Sequence, residues 1–72
     1  MNRQKTSLYH LYLFADEIRN GEYKGRSAFK WSVFDKLVGD YQKDFNIIFL
    51  NMPKQNDTDT LVWIDSLEKE HA

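Results

Sequence analysis

The first long periodic pattern of apolar residues lies between residues 7 and 20. Within it, apolar side chains recur at three- and four-residue spacings, which is typical of one face of an α-helix. Thr6 or Ser7 is suited to cap the start of this helix, and Gly21 is suited to the left-handed conformation just past its end. The sequence therefore predicts a helix over residues 7–20. Its core-facing stripe comprises Leu8, Leu11, Tyr12, Phe14, Ala15 and Ile18.

A second helical pattern follows a loop that contains Gly21 and Gly25. Ser27 is suited to cap this helix, which runs to about Lys43. Its apolar positions cover more of the helix than one packing face requires, so we expect a central helix that is contacted on two sides. Gly39 costs about 1 kcal/mol relative to alanine in a helix, which predicts a kink or an early end near this residue. The apolar positions are Phe29, Trp31, Val33, Phe34, Leu37, Val38 and Tyr41.

The last third of the chain changes to two short runs of adjacent apolar residues. The run over 46–51 is β-branched and aromatic and precedes Pro53 and a polar loop, which is typical of a strand. The run over 60–65 contains four adjacent apolar residues, among them valine and isoleucine, and these suit a second, buried strand. The two strands are predicted to pair as a β-hairpin.

A competing interpretation makes the last segment helical. It takes Asp59 as the N-cap of a helix from Thr60 to Glu70, with Leu61, Ile64 and Leu67 on one face. The strand interpretation is preferred, so the predicted fold class is α+β: one small domain over residues 1–72 with element order α-α-β-β. The alternative is an all-α three-helix domain.

The composition argues against covalent and metal chemistry. The chain has no cysteine, one proline and two histidines, whereas eleven of its 72 residues are aromatic. No serine stands in a nucleophile motif, and the sequence contains neither a complete calcium loop nor a glycine-rich phosphate loop. We therefore expect no enzyme, no catalytic or metal-binding residue and no cofactor. Stability must come from packing of the rings or from association with another chain.

The charge is unevenly distributed, although the net charge is only −1. The first 43 residues carry about +3 and the last 29 about −4, which marks a contact surface or draws the two halves of one domain together. The apolar stretch near the N-terminus is too short to cross a membrane and lacks a signal-peptide cleavage site. Together with the absence of cysteine, this predicts a cytoplasmic protein with no membrane partner.

The segment over residues 23–31 interleaves three cations with three rings before the second helix. Cations and backbone N–H groups can hold phosphate there while a ring stacks on a base. The predicted α-α-β-β order also resembles, in element order alone, the helix-helix-wing part of a winged helix-turn-helix. The exposed face of the second helix is mixed in charge, however, and a recognition helix is usually basic. Nucleic-acid binding through Lys24, Arg26 and Lys30 is therefore the alternative function.

Protein binding is the function that the composition favours. Surplus Tyr, Trp and Arg are typical of interface hot spots. Tyr9 and Leu13 lie outside the main stripe of the first helix and form a second apolar patch, which could also pair two copies of the chain. Phe34, Tyr41 and Phe49 are by contrast expected in the core. The predicted protein-binding residues are Tyr9, Leu13, Tyr23, Lys24, Arg26 and Trp31.

The predicted partner is a larger host or cellular protein, which the chain blocks or regulates. In size and plainness the chain resembles small inhibitor or regulator proteins of phages and mobile elements. This is a likeness of type with no shared motif.

Overall fold

A computed structural model describes residues 6–72, and within them it contains three helices and no strand. Helix α1 spans Thr6–Arg19, α2 spans Ser27–Phe45 and α3 spans Asp57–Glu70. A short loop joins α1 to α2, and a longer irregular segment over residues 46–56, named the connection below, joins α2 to α3.

The first two helices are confirmed, with ends that differ from the predicted ones by about two residues or fewer. Gly21 follows α1 with a φ of 74°, the left-handed conformation that was predicted for it. Ser27 is the first residue of α2 and not its cap, since Arg26 occupies the cap position without a side-chain hydrogen bond. The helix continues through Gly39 to Phe45, so the early end expected near Gly39 is wrong.

The end of α2 is set by Asn46 and not by the glycine. Asn46 adopts a left-handed φ of 55°, and its N–H donates to the carbonyl of Lys43 at 3.3 Å. The N–H of Ile47 donates to the carbonyl of Gln42 at 2.9 Å. These two bonds form a Schellman motif, which satisfies carbonyl groups that the helix end would otherwise leave unpaired.

The predicted β-hairpin is wrong, and the α+β fold class with it, because the second predicted strand lies inside α3. The local reason that this segment forms a helix is the capping interaction at the start of α3. The side-chain oxygen of Asn56 accepts the N–H of Asp59 at 2.8 Å, and the Asn56 amide donates back to the Asp59 carboxylate at 2.8 Å. Asp57 and Asp59 also place negative charge in the first turn, where the helix dipole favours it. The all-α alternative is the observed fold, with Asn56 and not Asp59 as N-cap.

Because successive side chains of a helix point in different directions, the apolar run of α3 has some side chains in the core and others in solvent. Thr60, Ile64 and Leu67 are buried at helical spacing, whereas Val62 keeps 65% of its surface exposed. The run therefore supplies one face of an amphipathic helix. Without a second strand, residues 46–51 have no pairing partner within the described part of the chain, and they form part of the connection.

Helix α1 lies between the other two helices and packs against both. No Cα atom of α2 comes within 8 Å of a Cα atom of α3, so large side chains must fill the space between these helices. As predicted, Phe34 and Tyr41 are buried, and Phe49 of the connection packs against the core. The buried core comprises Leu11, Phe14, Ala15, Phe34, Leu37, Val38, Tyr41, Ile64 and Leu67.

Trp63 bridges the gap between α2 and α3. Its ring meets Phe34 at a centroid distance of 5.9 Å, Tyr41 at 6.1 Å and Phe49 at 5.8 Å, each in an edge-to-face arrangement. Edge-to-face pairs contribute about 0.5–1.5 kcal/mol beyond the area they bury. The indole therefore joins α2, α3 and the connection into one core.

We expect Trp63→Ala to lower the free energy of unfolding by about 3 kcal/mol, because it removes a large ring and leaves a cavity among three others. Chemical denaturation followed by circular dichroism measures the loss. The matched control is Val62→Ala at the exposed neighbouring position, which should change stability by less than about 0.5 kcal/mol. Equal effects of the two substitutions would contradict the bridging role of Trp63.

Candidate protein-binding surface

The first part of the connection is held against the end of α2 by Gln42. The carbonyl of Gln42 accepts the N–H of Ile47 at 2.9 Å, and its side-chain Oε1 accepts the N–H of Phe49 at 2.8 Å. The Phe49 ring stacks on Tyr41 with centroids 6.1 Å apart and meets Trp63 edge to face. Both the backbone and the side chain of Phe49 are therefore fixed.

The far end of the connection is anchored as well. Thr60 is completely buried, and its hydroxyl donates to the Lys54 carbonyl at 3.1 Å. The Gln55 amide donates to the Asp35 carboxylate at 2.6 Å. Hydrogen bonds therefore attach both ends of the connection to helices, and these bonds restrict the positions of the residues between them.

The side chains on either side of Phe49 are exposed to solvent. Ile48 keeps 88% and Leu50 keeps 97% of its surface accessible, and Ile47 and Met52 are exposed too. Single exposed apolar side chains are normal, but several on one anchored segment are typical of an interaction site. Ile47, Ile48, Leu50 and Met52 are named the connection patch below.

A groove of about 410 Å³ lies beside the patch, between it and α2. Gly39 lines the groove, and a Cβ added there would meet no heavy atom within 4 Å. Nothing in the described fold therefore requires a glycine at this helical position. Lys43 is the one charged residue of the lining, and it forms no ion pair within residues 6–72. The lining comprises Gly39, Gln42, Lys43, Asn46, Ile47 and Ile48.

Two of the sequence-predicted contact residues lie on the outer side of α1. Tyr9 keeps 54% and Leu13 keeps 39% of its surface accessible, and neither packs in the core cluster. The ring centroid of Tyr9 is 6.0 Å from that of His10. Both residues are thus accessible to a partner, on a different element from the connection patch.

Tyr23, another predicted contact residue, is partly buried at the α1–α2 loop. Its ring packs on Phe14 at 5.4 Å and Phe29 at 5.9 Å, and its hydroxyl donates to a Glu17 carboxylate oxygen at 2.6 Å. Burial, followed by the hydrogen bond and the charge of Glu17, raises the pKa of Tyr23 to about 12. Lys24 beside it is exposed, and both residues are among those that line a cavity of about 240 Å³.

The two remaining predicted protein-binding residues, Arg26 and Trp31, each take part in a cation–ring contact. The Arg26 guanidinium lies 4.7 Å from the centroid of Phe29, and the Lys30 ammonium lies 4.7 Å from that of Trp31. Lys30 also pairs with Asp57 at 2.6 Å, and its side chain keeps only 11% of its surface accessible. Of the three cations that were predicted to hold phosphate, Lys30 is therefore already paired with a carboxylate. Trp31 is partly buried against the core.

The likeness to a winged helix is wrong, because it depended on a β-hairpin wing. Residues 46–51 lie in the irregular connection and residues 60–65 lie in α3, so the described residues contain no wing. The basic and aromatic segment remains, but its structural setting is a loop between two helices.

The comparisons add no family. Searches against protein-family models, curated proteins and solved structures found no match.

Within residues 6–72, no group of three or more His, Asp or Glu side chains could hold a metal ion. No helix in that part of the chain is long and apolar enough to cross a bilayer. The function has to be inferred from the surface.

The connection patch was missed by the sequence analysis because Ile47, Ile48 and Leu50 were assigned to one strand of the predicted β-hairpin, with Met52 just after it. A short run of adjacent apolar residues has no period that distinguishes a buried strand from an exposed, anchored segment. Which of Ile48, Phe49 and Leu50 points inward depends on the gap between α2 and α3, and no local signal reports that gap.

Gly39→Ala is expected to stabilise the fold by about 0.5–1 kcal/mol, because alanine loses less backbone entropy and its methyl group has free space. Thermal and chemical denaturation measure the gain. Gly21→Ala is the matched control, and it should destabilise the fold since Gly21 has a φ of 74°. A loss of stability in Gly39→Ala would show that the fold itself needs this glycine.

Wild type is expected to lose stability as pH rises from 10 through about 12, and Tyr23→Phe is expected to lose less over this range because it has no phenol to ionise. The sign follows because the pKa in the folded state lies above the ordinary value of 10, so the protonated phenol favours folding and its ionisation opposes it. Ultraviolet absorbance titration should show the loss of a phenol that ionises near pH 12. The exposed control Tyr9→Phe should retain that step, and its retention in Tyr23→Phe would contradict the assignment.

Proposed function

We propose that this chain is a non-enzymatic protein-binding module, a small inhibitor or regulator of a larger protein, and that it binds this partner through the connection patch. The observation that carries the proposal is the exposure of Ile48 and Leu50 on either side of Phe49, a ring that packs against the core.

Exposed aliphatic side chains give the free protein a surface whose burial is favourable. Removing apolar surface from water contributes about 25 cal/mol per Å². Because Gln42 and Phe49 already order the segment, binding need not supply the full cost of ordering a flexible loop. An anchored segment with unpartnered aliphatic side chains is therefore suited to recognition.

The arrangement of the patch favours a particular partner surface. The exposed side chains of Ile48 and Leu50 are suited to insertion into an apolar recess on the surface of the partner. Recesses of this kind are common at functional sites of larger proteins. A standard interface covers about 800 Å² on each partner, or about 15% of the 5291 Å² surface described here. Contact must therefore extend beyond the patch, and in the adjoining groove Lys43 would pair with a carboxylate of the partner.

We expect Leu50→Asp to weaken binding of the partner about 30-fold or more, because a hot-spot aliphatic residue is replaced by a charge that would have to be desolvated. The partner is first captured from host lysate by cross-linking on immobilised protein and identified by mass spectrometry. Its affinity for each variant is then measured by calorimetry with purified components.

Val62→Asp is the matched control, since it introduces the same charge at an exposed aliphatic residue of α3. Both variants should melt close to wild type. A further variant, Tyr9→Ala, tests the surface predicted on α1. Equal binding by wild type and Leu50→Asp would remove the connection patch as the site, and recovery of nucleic acid without a stoichiometric protein would overturn the proposed function.

A further inference from the structure

We propose that Gln42 is the positioning residue of the connection patch. Its side-chain hydrogen bond to Phe49 sets the direction in which Ile48 and Leu50 are presented, and the three helices fold without that bond. The inference rests on the proposed function, because it concerns how the same patch is ordered in the free protein before a partner binds.

Two adjacent residues of α2 hold different parts of Phe49. Tyr41 holds the ring, which stacks on it with centroids 6.1 Å apart and planes 14° apart. Gln42 holds the backbone, because its side-chain Oε1 accepts the Phe49 N–H at 2.8 Å. A segment attached through its ring alone can still rotate about the side-chain bonds of Phe49. Because a hydrogen bond is directional, the second attachment removes this freedom and fixes the course of the main chain.

The side-chain bond of Gln42 is the last anchor before the most exposed part of the patch. The N–H of Ile47 bonds to the main-chain carbonyl of Gln42, so a change of side chain at position 42 leaves that bond in place. After Phe49 the chain bends at Leu50, and within the described part of the chain residues 50–53 make no hydrogen bond. The direction of Leu50 therefore depends on the attachment of Phe49.

The helices have little need of the Gln42 side chain. The residue is partly exposed and lines the groove beside the patch, and within residues 6–72 its side chain makes one hydrogen bond, the one to Phe49. The bonds that end α2 use the main chain. Methionine has the length and nearly the helix propensity of glutamine but lacks the amide oxygen. Gln42→Met therefore removes the anchor and leaves the helix intact.

Ordering of the patch matters for binding because a partner recognises one arrangement of Ile48 and Leu50. The apparent affinity is reduced in proportion to the fraction of free molecules in that arrangement. One net hydrogen bond changes such a local equilibrium by about tenfold. The Gln42 side chain thus favours binding through the free protein.

The test measures backbone order parameters by NMR relaxation, together with amide hydrogen exchange, in the full chain. In Gln42→Met, the order parameters of Ile48 and Leu50 should fall by about 0.2, from the rigid range toward the flexible one. The Phe49 amide should exchange about tenfold faster, whereas the Ile47 amide should keep its protection. Gln42→Glu retains an acceptor at the same reach and should behave like wild type.

Gln55→Ala is the matched control, since it removes the side-chain bond to Asp35 at the far end of the connection. It should leave the order parameters of Ile48 and Leu50 unchanged. Each variant should keep its helical circular dichroism and melt within about 8 °C of wild type, the shift that one net hydrogen bond produces. Wild-type order in Gln42→Met, equal loosening in Gln55→Ala, or loss of the helices in Gln42→Met would overturn the inference.

These readouts need no partner, so they separate the inference from the proposed function. Loosening in Gln42→Met without any captured protein supports the positioning role and refutes the proposed function. With the captured partner, Gln42→Met should raise the dissociation constant by up to about tenfold and Gln42→Glu should bind like wild type. A Gln42→Glu variant that keeps the order of the patch but loses the partner would show direct contact by the amide, and it would refute the positioning role.

Discussion

The edge-to-face packing of Trp63 is the interaction on which the rest of the structure depends. Helix α1 contacts both other helices, but the Cα atoms of α2 and α3 remain more than 8 Å apart. Aliphatic side chains of ordinary size would leave a void in this gap, and voids are costly in protein cores. Rings from α2, α3 and the connection fill it together. The third helix is thus joined to the second through aromatic side chains.

This arrangement accounts for the aromatic content of so short a chain. Nine of its rings lie in or against the core. Among the described residues, Tyr9 and Phe29 are the exposed aromatic side chains, whereas the most exposed apolar residues are Ile48 and Leu50. The most exposed apolar surface of the described residues is therefore aliphatic, and two of the rings that suggested a contact surface, Tyr23 and Trp31, pack against the core.

Phe49 couples the core to the candidate surface. Its ring completes the aromatic packing between α2 and α3, and the same contacts fix the backbone that carries Ile48 and Leu50.

Charged contacts contribute less to the fold, because most ion pairs join exposed residues within one helix. Lys30 and Asp57 are the exception, since they link the basic first part of the chain to the acidic last part.

The sequence by itself determined the first two helices, because their apolar periodicity, Gly21 and the polar residues near their starts are local signals that tertiary packing did not override. It also contained the start of α3, in the reciprocal pair Asn56 and Asp59, but four adjacent apolar residues at 61–64 favoured a strand. The tertiary structure decided between these signals, since the helix can bury Ile64 and Leu67 against α1 while a strand would need a partner. It alone decided that Phe49 turns inward and its neighbours outward, because only the assembled helices create the gap that a ring must fill.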